Sequence, residues 1–258
     1  MKVAIIGSGN IATVVGRLIH RNQHEVIQVI SRNEQAGKKL ADELGAKYSS
    51  DFQKPDVQAE IFIISVSDTA INNCIPHIGS SDKIIVHTSG AVSKDILKHH
   101  TGNYGVLYPL QSIRKESTHI PAIPFLIDAN NDDAMKSIQH LAASISDSVT
   151  VAGDDERLKL HISAVFVNNF TNHLYSLTEN FCKKEGLDFS LLKPIIKETA
   201  ERIVLHSPAS MQTGPAARND LSTMEKHLKL LMNYPHLREL YLNLSESIIE
   251  SDFTELSN

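Results

Sequence analysis

The chain has 258 residues, 41% of them hydrophobic, enough to bury a sizeable core in one large domain or two smaller ones. A net charge of -5 with acids and bases interspersed offers no basic field for a phosphate backbone, which argues against nucleic acid as a partner. Cys74 and Cys182 fit no metal-ligand spacing and are too few for a disulfide framework. No apolar run approaches the roughly 20 residues of a membrane span. The opening Met1-Lys2-Val3-Ala4-Ile5-Ile6-Gly7 is too short for a secretory core. The expectation is a metal-free cytoplasmic protein with no membrane or nucleic-acid partner.

Short β-rich runs and helical patterns alternate from residue 1 to about 150. The runs are Val3–Ile6, Val26–Ile30, Ile61–Val66, Ile84–His87, Gly105–Tyr108, Phe125–Ile127 and Val149–Val151. Between them Ile11–Arg21, Glu34–Leu44, Thr69–Ile78 and Asp133–Ile145 carry apolar residues at three- and four-residue spacing. That alternation predicts an α/β Rossmann domain, doubly wound on a mainly parallel sheet, over residues 1–152. After Gly153 the texture changes to long helical patterns, Asp154–Lys184, Ser190–His206 and His236–Glu250, which predict an all-α domain over 153–258.

Gly7-Ser8-Gly9-Asn10-Ile11-Ala12 has G-x-G-x-x-A spacing between the first strand and the first helix, the place of a dinucleotide pyrophosphate. Gly7 permits the tight turn, Gly9 lets backbone approach the phosphates, and Ala12 allows close helix–strand packing. The second strand ends Val29-Ile30-Ser31-Arg32-Asn33, with no acid to accept a ribose hydroxyl. A hydroxyl and a guanidinium there suit a 2′-phosphate, so NADP is expected over NAD, unless Arg32 is only a solvated surface residue. Two later strand ends open on the same crevice: Ser65-Val66-Ser67-Asp68, with Val66 and Ser67 as candidates, and His87-Thr88-Ser89-Gly90, with Thr88 and Ser89. Asp68 reads better as a cap for the helix expected from Thr69.

Polar and apolar residues interleave from Arg157 to Tyr175. At about 100° per residue His161, Asn169 and Asn172 fall within an arc of roughly 80°. A polar face with a histidine suits proton exchange with a substrate, or else a satisfied hydrogen-bond cluster. Farther on, Thr213-Gly214-Pro215-Ala216-Ala217-Arg218-Asn219-Asp220 interrupts the helices. Arg218 there could grip an anionic group, or pair with Asp220 in a structural turn.

Together the glycine fingerprint, His87-Thr88-Ser89-Gly90-Ala91, Tyr108-Pro109-Leu110-Gln111-Ser112, His161–Tyr175 and the Thr213–Asp220 loop resemble a family of NADP oxidoreductases whose C-terminal half is a domain of unknown function. The resemblance runs the whole length. It implies a distant relation to pyrroline-5-carboxylate reductase and to the 6-phosphogluconate and β-hydroxyacid dehydrogenases, with dimerisation through the helical domain and an active site in the interdomain cleft. Where this family would have glycine after Arg218 the chain has Asn219, which also tolerates positive φ. The lysine–asparagine dyad of the β-hydroxyacid enzymes is not reproduced: Lys159 lies about 160° around the helix from His161 and Ser163 follows it one turn later.

The reading is hydride transfer between NADP(H) and a small carbonyl or imine. His161 would donate a proton or orient the substrate, Asn169 and Asn172 would hold polar groups, and Arg218 would anchor an anionic end. Three long helical patterns in a small domain also predict a homodimer. The alternative is a protein that binds NADP without turnover, as a sensor or regulatory partner. Reduction of NADP by a deazaflavin would need a second extended groove, for which the sequence shows no motif.

Overall fold

The computed structural model describes residues 1–76, 83–117 and 119–250. The chain divides into two compact units, Met1–Phe170 and Thr171–Asn258.

In the first unit the strands are β1 (Lys2–Ile6), β2 (Glu25–Ile30), β3 (Lys47–Ser49), β4 (Ile61–Ile64), β5 (Ile84–His87), β6 (Asn103–Pro109), β7 (Phe125–Ala129) and β8 (Val149–Val151). They form one sheet in the order β3-β2-β1-β4-β5-β6-β7-β8. Every neighbouring pair is parallel except β6 with β7. The fold is the expected Rossmann architecture. β1, β2, β4 and β5 alternate between two cores, as a sheet covered on both faces must. Val3, Ile5, Val29, Ile63 and Val86 pack with Val15, Ile19, Leu40, Leu44, Ile138 and Leu141 of α1 (Asn10–Arg21), α2 (Glu34–Leu44) and α3 (Asp132–Ile145). On the other face Ala4, Ile6, Ile30, Phe62, Ile64 and Ile85 pack with Ile71, Cys74 and Leu97.

The chain order reverses between β1 and β4, which places the fingerprint loop in the crevice beyond their carboxyl ends. Two local expectations need correction there. The helix read over Thr69–Ile78 is, among the described residues, a pair of 3₁₀ turns, Asp68–Ala70 and Asn72–Cys74; residues 77 and 78 lie outside the described residues. Ile75 precedes Pro76 and is extended at ψ 123°, because the proline ring crowds the helical conformation of the residue before it. Asp68 is the first residue of its turn and caps nothing; Ser67 holds the cap position. β3 was not foreseen, since Lys-Tyr-Ser is too short and polar to stand out.

The first unit ends with α4 (Asp154–Ala164) and a π-helical turn, Val165–Phe170. A steady 100° step per residue is therefore not kept through this segment. The wider turn sets back the phase of everything after it by about one residue, or roughly 100°.

The second unit contains α5 (Thr171–Lys184), α6 (Lys193–Leu205), α7 (Leu221–Leu230) and α8 (Pro235–Glu250). The helix expected from Ser190 starts as a 3₁₀ turn, Phe189–Leu192, capped by Asp188, and becomes α-helical where Pro194 fits the first turn of α6. His227 Nδ1 and the Tyr241 hydroxyl, 2.9 Å apart, tie α7 to α8. No residue of α6 is buried, and Leu191, Ile195, Ile203, Val204 and Leu205 are exposed. Among the described residues no helix is long and apolar enough to cross a membrane.

Candidate functional site

The fingerprint loop owes its shape to two glycines. Gly7 has φ +125°, and a Cβ there would lie 2.2 Å from the Ser65 carbonyl oxygen, so a side chain would force β1 and β4 apart. At Gly9 a Cβ would meet nothing within 4 Å and would project into open space. That space is a pocket of about 410 Å³ whose lining includes Gly7, Ser8, Gly9, Asn10 and Ile11 from the loop, Ser31 and Arg32 from the end of β2, and Val66 and Ser67 from the end of β4. α1 begins there with no side-chain cap, which leaves its first amides for a ligand. Ala12 is fully buried, in its expected packing role.

The Ser31 and Ser8 hydroxyls are 2.7 Å apart, and the Ser31 carbonyl accepts from the Tyr48 hydroxyl at 3.0 Å. Ser31 is thus fixed in the pocket wall beside the exposed Arg32. Asn33, Phe52 and Ser65 also line this pocket; Ser65 belongs to the strand end expected on this crevice, while Asn33 and Phe52 were not singled out. Phe52 follows the short β3 in an irregular segment, where no periodicity marks a residue as inward-facing.

Thr88 and Ser89 are buried and have local partners. The Thr88 hydroxyl donates to the Ile64 carbonyl at 3.4 Å, and Ser89 Oγ accepts from the amides of Ala91 and Val92, both at 3.1 Å. These bonds fold the strand end into a turn that presents Gly90. His87 Nδ1 accepts from the Ser89 amide at 3.2 Å, which puts the ring proton on Nε2. Nε2 is buried without a partner among the described residues. Burial, followed by the nearby charge of Arg157, lowers the pKa of His87 to about 4.

A second pocket of the first unit, about 470 Å³, brings β6 and the loop after it against α4 and the π turn. His161 and Asn169 both line it, with Tyr108, Gln111, Ser112 and Asn168. Tyr108 Oη lies 2.8 Å from His161 Nδ1. The two rings meet edge to face with centroids 5.8 Å apart. A Cβ on Gly90 would lie 2.7 Å from His161 Nδ1 and 2.9 Å from Tyr108 Cζ, so the absence of a side chain at this turn makes room for both rings. Burial raises the pKa of Tyr108, which keeps its hydroxyl protonated and able to donate.

Tyr108 is the residue that sequence reasoning missed as a chemical group. Its signal lay in the Tyr108-Pro109-Leu110-Gln111-Ser112 motif, which was read only as a mark of resemblance. Asn172 and Arg218 belong to the second unit, where both are exposed. Arg218 closes a short 3₁₀ turn and Asn219 adopts φ 51°, the left-handed conformation for which asparagine stands in for glycine. Asp220 uses its carboxylate to cap α7, accepting from the Thr223 amide at 3.1 Å and the Thr223 hydroxyl at 2.7 Å, rather than to pair with Arg218. Among the described residues no group of three or more His, Cys, Asp or Glu side chains is arranged to hold a metal.

Residues 2–90 match the family model described as NADP oxidoreductase, coenzyme F420-dependent, and residues 123–248 match a domain of unknown function, DUF2520. The crystal structure of a Bacteroides fragilis protein described as a "putative NADP oxidoreductase" is 33% identical, with a TM-score of 0.89 over 96% of this chain and 98% of that one. The chain belongs to this NADP oxidoreductase family. Pyrroline-5-carboxylate reductase from Streptococcus pyogenes shares the fold at 13% identity, with a TM-score of 0.64 over 96% of this chain and 98% of that one. The imine reductase of Myxococcus stipitatus, solved with NADP+, shares it at 12% identity, with a TM-score of 0.61 over 96% and 92%. No curated protein matches. NADP is the cofactor of this family member, and the open cradle at Gly9 fits a dinucleotide.

Because folded His87 resists protonation until about pH 4, the unfolded chain takes up a proton below the ordinary value of 6.5 and the folded chain does not. Stability is therefore expected to fall with pH across that window by about 3 kcal/mol on this account. His87→Gln should flatten this part of the curve. Denaturant melts near pH 7 and near pH 4 measure it, and an equal loss in both chains would refute the assignment.

Proposed function

We propose that this chain transfers a hydride between NADP(H) and a small carbonyl or imine held in the pocket that Tyr108 and His161 line. The observation that carries the reading is the 2.8 Å pairing of those two side chains at the wall of a pocket in the unit that also bears the glycine cradle. The cofactor supplies the hydride; the chain's part is to bind, orient and handle the proton.

Gly7, Gly9, Asn10, Ile11 and the free amides of α1 hold the pyrophosphate on this reading, with Ser8, Ser31 and Arg32 on the 2′-phosphate. Val66, Ser67 and the backbone of Thr88 and Ser89 border the rest of the dinucleotide. Tyr108 donates its hydroxyl proton to His161 Nδ1, leaving a proton on Nε2 for a substrate oxygen or nitrogen. Asn169 orients polar groups of the substrate. Asn172 and Arg218, exposed on the second unit, are the candidates there for polar groups and for an anionic end of a ligand. The names of the two reductase neighbours support an imine or carbonyl over the hydroxyacid chemistry whose dyad the chain lacks. The apolar side chains exposed on the second unit support a homodimer formed through it.

Three outcomes test the proposal. NADPH is expected to bind more tightly than NADH, and Arg32→Ala to weaken NADPH by about 2 kcal/mol, roughly 30-fold, while sparing NADH. Fluorescence titration of both cofactors decides this. His161→Asn and Tyr108→Phe should lower turnover about 10²–10⁴-fold for the first and less for the second, at nearly constant NADPH affinity. A screen of small ketones and cyclic imines supplies the assay; variants that are only less stable, with full turnover per folded molecule, would favour a non-catalytic NADP sensor. Light scattering at micromolar concentration should give twice the chain mass, and a monomer there would remove the dimer.

A further inference from the structure

We propose that Arg157 is a positioning residue for His161, holding the imidazole in its pocket by fastening the first turn of α4 to the loop that carries Gly90. The inference rests on the role proposed above for His161 and adds a residue one helical turn below it.

Arg157 is 1% exposed, the largest fully buried side chain among the described residues. Its Nη2 donates to the Val92 carbonyl at 2.6 Å and to Asp154 Oδ1 at 2.7 Å. The Asp154 carboxylate in turn accepts from the Ser93 hydroxyl and, at 3.2 Å, from the Lys94 amide. One ion pair at the start of α4 therefore grips three consecutive residues of the loop, Val92, Ser93 and Lys94. Gly90 lies two residues before this grip. His161 lies four residues after Arg157, on the same face of α4, with its ring on the Gly90 backbone. The bolt and the imidazole are neighbouring contacts between the same helix and the same loop. If the bolt opens, the loop that carries Gly90 is freed from α4 and the ring loses a fixed neighbour on that side, keeping its pairing with Tyr108.

The guanidinium is not an economical way to stabilise the fold. Its Nε and Nη1 have no partner among the described residues, and neither does the nearby His87 Nε2. Burying a cation with donors unmatched costs more than an apolar side chain of similar volume would. The carboxylate partner is 36% exposed, so water can take over if the arginine is removed. A residue kept for stability alone would be better as methionine. What methionine cannot supply is the directional hold on the Val92 carbonyl and on Asp154.

The test uses the full chain, labelled at histidine and tyrosine, as wild type, Arg157→Met and Arg157→Gln, with NOE cross-peaks from the His161 ring to the Gly90 α-protons and the Tyr108 ring. Arg157→Gln drops the charge while keeping a donor, and carries the test if the methionine chain does not fold. The variants are expected to melt within about 4 °C of wild type and to bind NADPH within roughly twofold, while the His161 cross-peaks weaken or vanish. Cross-peaks of wild-type strength would overturn the proposal. So would cross-peaks lost only alongside a large drop in melting temperature and NADPH affinity, which marks a general structural role. Absence of any reductase turnover would strike the proposed function instead and leave these measurements standing.

Discussion

Both sites depend on places where the sheet's carboxyl edge tolerates no side chain. At the β1–β4 crossing, the Gly7 backbone approaches the Ser65 carbonyl so closely that a methyl group would sit at 2.2 Å. Only that approach lets the loop turn sharply enough to aim Gly9 and the start of α1 at one space. At the β5 end, Gly90 plays the corresponding part against two aromatic rings, at 2.7 and 2.9 Å. The parallel sheet brings these glycines to the same edge because β1, β4 and β5 are adjacent and run the same way. The glycine cradle and the Tyr108–His161 pairing thus arise from one constraint applied at neighbouring strand ends.

The electrostatics of that edge follow from what is buried. His87 lies beneath the turn that presents Gly90, and burial keeps it neutral over the physiological range. Arg32 stands exposed in the wall of the pocket at the glycine loop, whereas Arg157, whose charge bears on His87, is paired with Asp154. The pocket of Tyr108 and His161 is lined by hydroxyl, amide, imidazole and aliphatic groups, so a proton can pass between neutral partners with little charge to solvate.

Much of the fold was legible because its signals are periodic. The buried strands β1, β2, β4 and β5 read as apolar runs, and α1, α2 and α3 read at helical spacing with their ends nearly in place. Failures came where a single local interaction overrode the pattern. Pro76 ended the helix expected after Thr69 by its effect on Ile75, and β3 earned its place by pairing with β2 rather than by composition. For the site, the fingerprint residues and the end of β2 were legible because loop chemistry has a fixed spacing. Phe52 and Tyr108 were not, since each reaches its pocket through tertiary packing alone.

The π turn shows why the polar stripe could be read only in part. The stripe of His161, Asn169 and Asn172 was drawn with a constant step; His161 and Asn169 line the pocket together with Asn168, which lay outside the stripe, and Asn172 belongs to the second unit. A π turn widens the helix by one residue, which weakens its backbone hydrogen bonds and opens its axis, and such turns persist where a neighbouring contact compensates. Here Phe166 and Phe170, four residues apart in it, meet edge to face with ring centroids 5.1 Å apart. With a strict α-helical step, Asn168 and Asn169 would point about 100° apart and continue a spiral fixed by His161. The sequence holds both asparagines and the two phenylalanines, but it contains no rule that tells a six-residue π turn from the α-helix on either side.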